Sequence, residues 1–172
     1  LCNASAAQTV NRVALQTQGR LWPIGGAAHT AGVLADALLE NQTVEALRQV
    51  WAPKVVGAVN LHQACCVMGC QLEMLAMYSS VAALLGGAGQ ANYAAANAVL
   101  DGLASEKRST GGAVVSVQWG AWADAGMAMA SEALSRLEAQ GMRGIERGEG
   151  MRALELVLCR GDSPVVAMLP LR

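Results

Sequence analysis

Short apolar runs rich in small and β-branched residues alternate along this chain with longer stretches whose apolar positions recur at helical spacing. Ile24 to His29, Glu73 to Ser79 (EMLAMYS), Ala113 to Trp119 (AVVSVQW) and Pro164 to Leu169 read as strands of the buried type. Helical patterns separate them: Ala4 to Gln18, Thr43 to about Cys66, Asn92 to Lys107, and Ser131 to Gln140 and Glu149 to Arg160 near the end. Thr43 is placed to cap its helix, with Glu45 favouring the positive end of the dipole. Pro53 either interrupts that helix or opens a second one, so Lys54 lies beside a kink or a cap. Gly141 ends the helix that Ser131 begins, and Met151, Leu154, Val157 and Leu158 form one apolar stripe on the last. Strands alternating with helices predict an α/β fold: a mostly parallel sheet covered on both faces.

Composition narrows the functional classes. The chain has 172 residues, 53% hydrophobic and 15% charged, enough to fill a core, and without repeat or linker it reads as one domain over 1–172. A formal net charge of -1 leaves no cationic excess for a polyphosphate, so nucleic acid is not an expected partner. Mean hydropathy is +0.32, yet no apolar run reaches the ~18 residues that span a bilayer, so no membrane partner is expected. The chain starts at Leu1 without a secretory pattern, which suggests a cytoplasmic protein and a piece of something longer. The five cysteines are odd in number, and Cys65, Cys66 and Cys70 crowd one segment, pointing to a reducing compartment with no metal site.

Ligands of open parallel sheets bind beyond the carboxyl ends of the strands. Those ends carry His29-Thr30-Ala31-Gly32 with Asp36 shortly after, the pair Ser79-Ser80, and Trp119-Gly120-Ala121-Trp122 leading to Met127. After Ser80 comes a glycine-rich loop and then GQANYAAAN, in which Tyr93 and Asn97 share a helix face at i and i+4. The alanines around them keep that helix thin. This is either the wall of a cleft or a helix packed tightly on the sheet with Tyr93 reaching water.

The blocks HTAGVLADALL, APKVVGAVNLH, GQANYAAANAVLDGLA and VQWGAWADAGMA, in that order over nearly the whole chain, resemble the ketoreductase domain of type I polyketide synthases and animal-type fatty acid synthases. That domain is a branch of the short-chain dehydrogenase/reductase superfamily. The resemblance implies a Rossmann-like doubly wound sheet and NADPH-dependent reduction of a β-ketoacyl thioester. The partners implied are an acyl carrier protein, carrying the chain on phosphopantetheine, and neighbouring synthase domains. It assigns Tyr93 as proton donor, Ser80 as the hydroxyl holding the substrate carbonyl, and Lys54 and Asn97 as the supporting pair. His29, Thr30, Ala31, Gly32, Lys54, Tyr93, Trp119 and Gly120 are its cofactor contacts, with Trp119 to Met127 as the nicotinamide-side loop and substrate lid. The Cys-rich segment after His62 departs from the family by looking a little longer.

The chemistry of that set is coherent. Ketone reduction develops an alkoxide, so the oxygen needs a hydrogen-bond donor and a proton source. An ammonium within ~4–6 Å would lower a phenol's pKa by ~1–3 units, which sets the expectation that Lys54 acidifies Tyr93. The glycine-rich pyrophosphate turn and the first strands of such a domain are missing, and Leu1-Cys2-Asn3 looks like the end of its third strand. For stereocontrol the resemblance implicates Asp36, the last residue of an LDD-type motif, with Leu85 where members of opposite stereochemistry carry a Trp, predicting a D-configured alcohol. Gln90, Trp122 and Met127 complete the expected substrate contacts. The rival readings are a non-catalytic ketoreductase fragment or pseudo-reductase with a structural role, and a free-standing short-chain reductase of small ketones.

Overall fold

The computed structural model describes residues 3–18, 24–70, 72–123, 135, 138–139, 141–160 and 162–171. Among these, β1 (Gly26–His29), β2 (Met74–Ser80), β3 (Val114–Trp119) and β4 (Val165–Met168) form a four-stranded sheet in the order β1-β2-β3-β4. Every pairing is parallel, with Ala28 opposite Ala76, Ser80 opposite Trp119 and Trp119 opposite Met168. All strands therefore end toward one edge of the sheet, where Ser80 lies beside Trp119 and His29 beside Met77. The expected strands are all present, trimmed by one or two residues at most ends.

Helix α1 (Ala7–Gln18) buries Val10 and Ala14 against Ala64 and Leu61 of α3 (Gly57–Val67). Helix α2 (Val44–Trp51) begins at Thr43, whose hydroxyl accepts from the Ala46 amide at 3.1 Å, as the sequence predicts. The chain does not break at Pro53: Ala52–Val56 widens into a π turn, closed where the Gly57 amide donates to the Ala52 and Lys54 carbonyls, and α3 follows directly. A proline lacking its amide hydrogen fits this wider turn, and such turns aim side chains unlike a regular helix does. Glycine at 57 allows the close approach here, since a Cβ would lie 3.0 Å from the His29 ring and 3.1 Å from the Ala4 side chain.

A short helix, α4 (Ala82–Leu85), and a 3-10 turn at Leu39–Asn41 were not expected from the pattern. Helix α5 (Ala91–Ser109) follows the glycine-rich loop, and α6 (Arg147–Arg160) precedes β4. Strand periodicity sorts the core into two layers. Leu75, Met77 and Val114 pack with Ala58 of α3 and Leu100 and Ala104 of α5. On the other face Ala76, Val115, Val117 and Trp119 pack with Ile145 and with Leu154 and Val157 of α6. The stripe expected on α6 is corrected here. Met151 and Leu158 are exposed, and the contact face runs through Gly150, where a Cβ would collide with the Trp122 ring. Of the helix expected from Ser131 to Gln140, only 135 and 138–139 are described. The Leu1-Cys2 part of the expected upstream strand is likewise outside the described residues, and Asn3 forms a turn in which its Oδ1 accepts from Ser5.

Candidate functional site

The π turn delivers Lys54 into the sheet. Its side chain is almost wholly buried, Nζ donates to the Tyr78 carbonyl at 2.9 Å, and the same nitrogen stands 5.4 Å from the centroid of the Tyr93 ring. Burial depresses the Lys54 pKa to about 8, with the charge of Asp101 opposing the fall. The Lys54 carbonyl accepts from His29 Nε2 at 2.8 Å, so the last residue of β1 and the π turn hold each other. Burial lowers the His29 pKa, and the bond to the Lys54 carbonyl opposes this.

Tyr93 enters from the first turn of α5 and is 8% exposed. Its phenol pKa is raised by burial, while hydrogen bonding by Asn97 and by Ser80 pulls it back and the charge of Asp36 adds to the rise. The expected acidification by Lys54 is therefore not seen: the desolvation of a phenolate dominates, and what opposes it comes from Asn97 and Ser80. Asn97 is fully buried, its Nδ2 donates to the Tyr93 carbonyl at 2.8 Å, and its Oδ1 has no partner among the described residues. Ser80 Oγ accepts from the Ala82 amide at 3.1 Å, which leaves its own proton free to donate. Ser79 donates to the Asn97 carbonyl at 3.3 Å and fastens α5 to β2. Lys54 from the π turn, Ser80 from β2, and Tyr93 and Asn97 from α5 thus meet at the carboxyl ends of the strands.

A strap closes one side. Residues 30–38 leave β1 without regular structure and are clasped to the glycine-rich loop: the Ala37 amide donates to the Gly89 carbonyl at 2.9 Å, Gln90 Nε2 to Asp36 Oδ2 at 3.1 Å, and Asn92 Nδ2 to the Ala35 carbonyl at 2.8 Å. Gly89 adopts φ +75, a conformation that favours glycine. Asp36 and Gln90 are brought together, whereas Leu85 stands 51% exposed on α4. Asn92 was missed in the sequence, although an amide directly before Tyr93 marked a helix start. Thr30 is exposed and Ala31 and Gly32 half-buried along the start of the strap.

The third strand end is more occupied than expected. The Gly120 amide donates to the Met168 carbonyl and the Trp119 carbonyl accepts from the Val81 amide, while Trp119 Nε1 is buried without a partner among the described residues. Trp122 turns its ring toward Trp119, 5.0 Å between centroids, and toward Gly150 of α6. Met127 lies outside the described residues. A cavity of about 390 Å³ lies elsewhere, between α3 and α5 over Leu75 and Val114, with His62 and Cys66 among its lining.

A KR domain model matches residues 1–124. The chain is 43% identical over 141 residues to polyketide synthase GfsB of Streptomyces halstedii, covering 80% of this chain and 2% of that protein. It is 36% identical over 171 residues to the phenolphthiocerol synthesis polyketide synthase type I Pks15/1 of Mycobacterium marinum, covering 98% of this chain and 8% of that one. It thus spans less than a tenth of the length of these relatives. The solved structure of an A-type ketoreductase from a modular polyketide synthase superposes with a TM-score of 0.91 at 32% identity, over 99% of this chain and 35% of that one. Fold, parallel sheet and sequence agree: the chain belongs to the KR domain family of polyketide synthases, as a fragment of that domain with the short-chain-reductase type of Rossmann fold.

Proposed function

We propose that this chain carries the catalytic end of a ketoreductase that reduces a β-ketoacyl thioester, presented by an acyl carrier protein within a larger synthase, to the β-hydroxyacyl form. The observation that carries the reading is the convergence of Lys54, Ser80, Tyr93 and Asn97 on one strand edge, with the buried Asn97 Oδ1 lacking a protein partner. The residues fit the nicotinamide and ribose half of NADPH. The Lys54 ammonium has protons beyond the one given to Tyr78, and the buried Asn97 Oδ1 is an acceptor left over beside it. Thr30 to Gly32 would border the sugar. NADPH, when bound, supplies the hydride.

The chain's own residues handle the oxygen and the proton. Ser80 directs its free O–H at the substrate carbonyl oxygen and fixes its position. Tyr93, whose buried phenol stays protonated at neutral pH, gives its proton to that oxygen as negative charge develops there. Lys54, titrating near 8, then lies within reach of working pH to return a proton toward Tyr93, and Asn97 offers an acceptor that can hold a water in between. The strap clasped through Asp36 and Gln90 walls the acyl side. We assign it control of the face presented, with a D-configured alcohol as product; chiral analysis that returned the L form would reject this assignment.

The test uses the intact synthase containing this chain. Tyr93→Phe should abolish NADPH oxidation with a β-ketoacyl thioester and leave NADPH binding in place. Turnover retained by Tyr93→Phe rejects the function.

A further inference from the structure

We infer that Asp101 is a positioning residue for this site, its carboxylate anchored by Ser116 and Gln118 on the buried face of β3 so as to be the counter-charge that keeps Lys54 protonated. The inference rests on the function proposed above for its catalytic meaning. Asp101 follows Asn97 by one helical turn and Tyr93 by two, so all three lie along one side of α5. Ser116 Oγ donates to Asp101 Oδ1 at 2.6 Å and Gln118 Nε2 to Oδ2 at 2.8 Å.

Two polar side chains inside a strand whose six residues are all buried bring an appreciable desolvation cost. An apolar pair would pack there without it. What the polarity achieves is a carboxylate held at a set place: both oxygens have neutral donors, and no cation pairs with it directly among the described residues. The ladder shows what it faces. Gln118 is opposite Ser79, and Lys54 donates to the carbonyl of Tyr78, the residue before. The carboxylate is thus anchored over β3 and the ammonium over the adjacent strand β2, strands ~4.8 Å apart.

Lys54 has no carboxylate within ion-pair distance among the described residues, and the field of Asp101 is what opposes the effect of burial on it. The other titratable groups around it do not do this. His29 on β1 is biased to its neutral form, Tyr93 on α5 keeps its proton, and Tyr78 on β2 turns its ring to Trp119 on the other face. On α2, Glu45 pairs with Arg48 at the surface, while α3 offers His62, Cys65 and Cys66 further along the helix. Asp36 acts on Tyr93 from the strap.

The experiment reads Lys54 in the intact ketoreductase by carbon-13 NMR of labelled lysines, its signal identified by loss in Lys54→Met, beside the pH profile of kcat/KM. Asp101→Asn preserves shape and removes the charge. The Lys54 midpoint should fall by about one pH unit, and the alkaline limb of the profile should move to lower pH with it. Ser116→Ala removes a hydrogen bond and keeps the charge, and should leave the midpoint in place. If Asp101→Asn does not fold, Asp101→Ser supplies the same neutral comparison. An unmoved Lys54 midpoint in the neutral variant, with activity reduced equally at every pH, overturns the inference and leaves Asp101 a packing residue. The midpoint is read without turnover, so a shift in an enzyme that reduces no β-ketoacyl thioester upholds the charge pairing and rejects the function.

Discussion

The two faces of β2 and β3 are built from the same strands and do opposite work. The face under α3 and α5 carries Ser79, Ser116 and Gln118, and above them the buried Lys54, Asn97 and half-buried Asp101. The face under α6 carries Val115, Val117 and Trp119 against Ile145, Leu154 and Val157, with Tyr78, Trp119 and Trp122 in tilted ring contact. Side chains alternate between faces at every residue, so a single strand can hold a charged network and an apolar core only about 10 Å apart. The second face contributes the burial that tolerates the first. A buried ammonium without a contacting anion weakens a fold, and it persists where a dry layer behind it supplies the stability.

Lys54→Met breaks this contrast most sharply. Turnover by the intact enzyme should drop by roughly a hundredfold or more. Stability at neutral pH should rise at the same time. The Lys54 pKa is held at about 8 in the fold and lies at 10.5 in an unfolded chain, so both states carry the charge below pH 8 and the folded one bears its burial. That unfavourable contribution fades as pH climbs from about 8 to 10.5, because the folded state then releases the proton first. The gain from Lys54→Met is thus at most about 3 kcal/mol near pH 7 and vanishes by about pH 10.5. Denaturant melts at those two pH values check it, and destabilisation at pH 7 would contradict the comparison.

Ile145→Ala tests the other face. Ile145 is fully buried beside Trp119, so truncation should cost about 2–4 kcal/mol in stability while the molecules that remain folded keep the Lys54 titration of the parent. A changed Lys54 midpoint in this variant would mean that the faces are not independent.

The contrast between faces was only half legible in the sequence. Strand ends, the Thr43 cap and the Tyr93 and Asn97 spacing could be read directly, because period-two and period-four patterns are local. Ser80 stood out at a strand end, but its role and that of Lys54 came from a family resemblance, since their meeting with Tyr93 is created by the sheet and no spacing encodes it. The π turn at Pro53 was invisible: proline announces a missing amide but not whether the helix breaks, kinks or widens. Asp101 was passed over, although Ser116 and Gln118 at alternate positions of an otherwise apolar strand were the available signal. The α6 face was misjudged because Gly150, with no side chain, does not register as apolar yet is where the Trp122 ring lies. Trp122 packs beside Trp119, and a tryptophan after a strand end carries no mark in the sequence of which face it will join.

Gly57→Ala probes the junction that aims Lys54. The added methyl would press on His29 and Ala4 at 3.0 and 3.1 Å, and relieving it requires the His29 ring or the first turn of the chain to shift. The expected loss is about 1–3 kcal/mol. Because His29 is bonded to the Lys54 carbonyl, part of this strain should reach the site and lower kcat more than it raises KM. A stability loss with kinetics untouched would show that the π turn holds its place without His29.

Thr43→Ala gives the smallest effect and the cleanest control. The Thr43 hydroxyl satisfies the Ala46 amide at the exposed start of the helical rod that runs through α2 and the π turn to α3, a full α2 length from Lys54. Its loss should cost about 1 kcal/mol of stability, read from the denaturant midpoint at unchanged slope. The rod is then weaker but its buried end is untouched, so the Lys54 titration and the pH profile should match the parent. If they shift together with stability, the properties of Lys54 follow from how firmly the rod is held, and the distinction between a polar face that does chemistry and a structural remainder dissolves. If stability alone changes, Lys54 takes its properties from the groups that enclose it: the Tyr78 carbonyl, the Tyr93 ring and the field of Asp101.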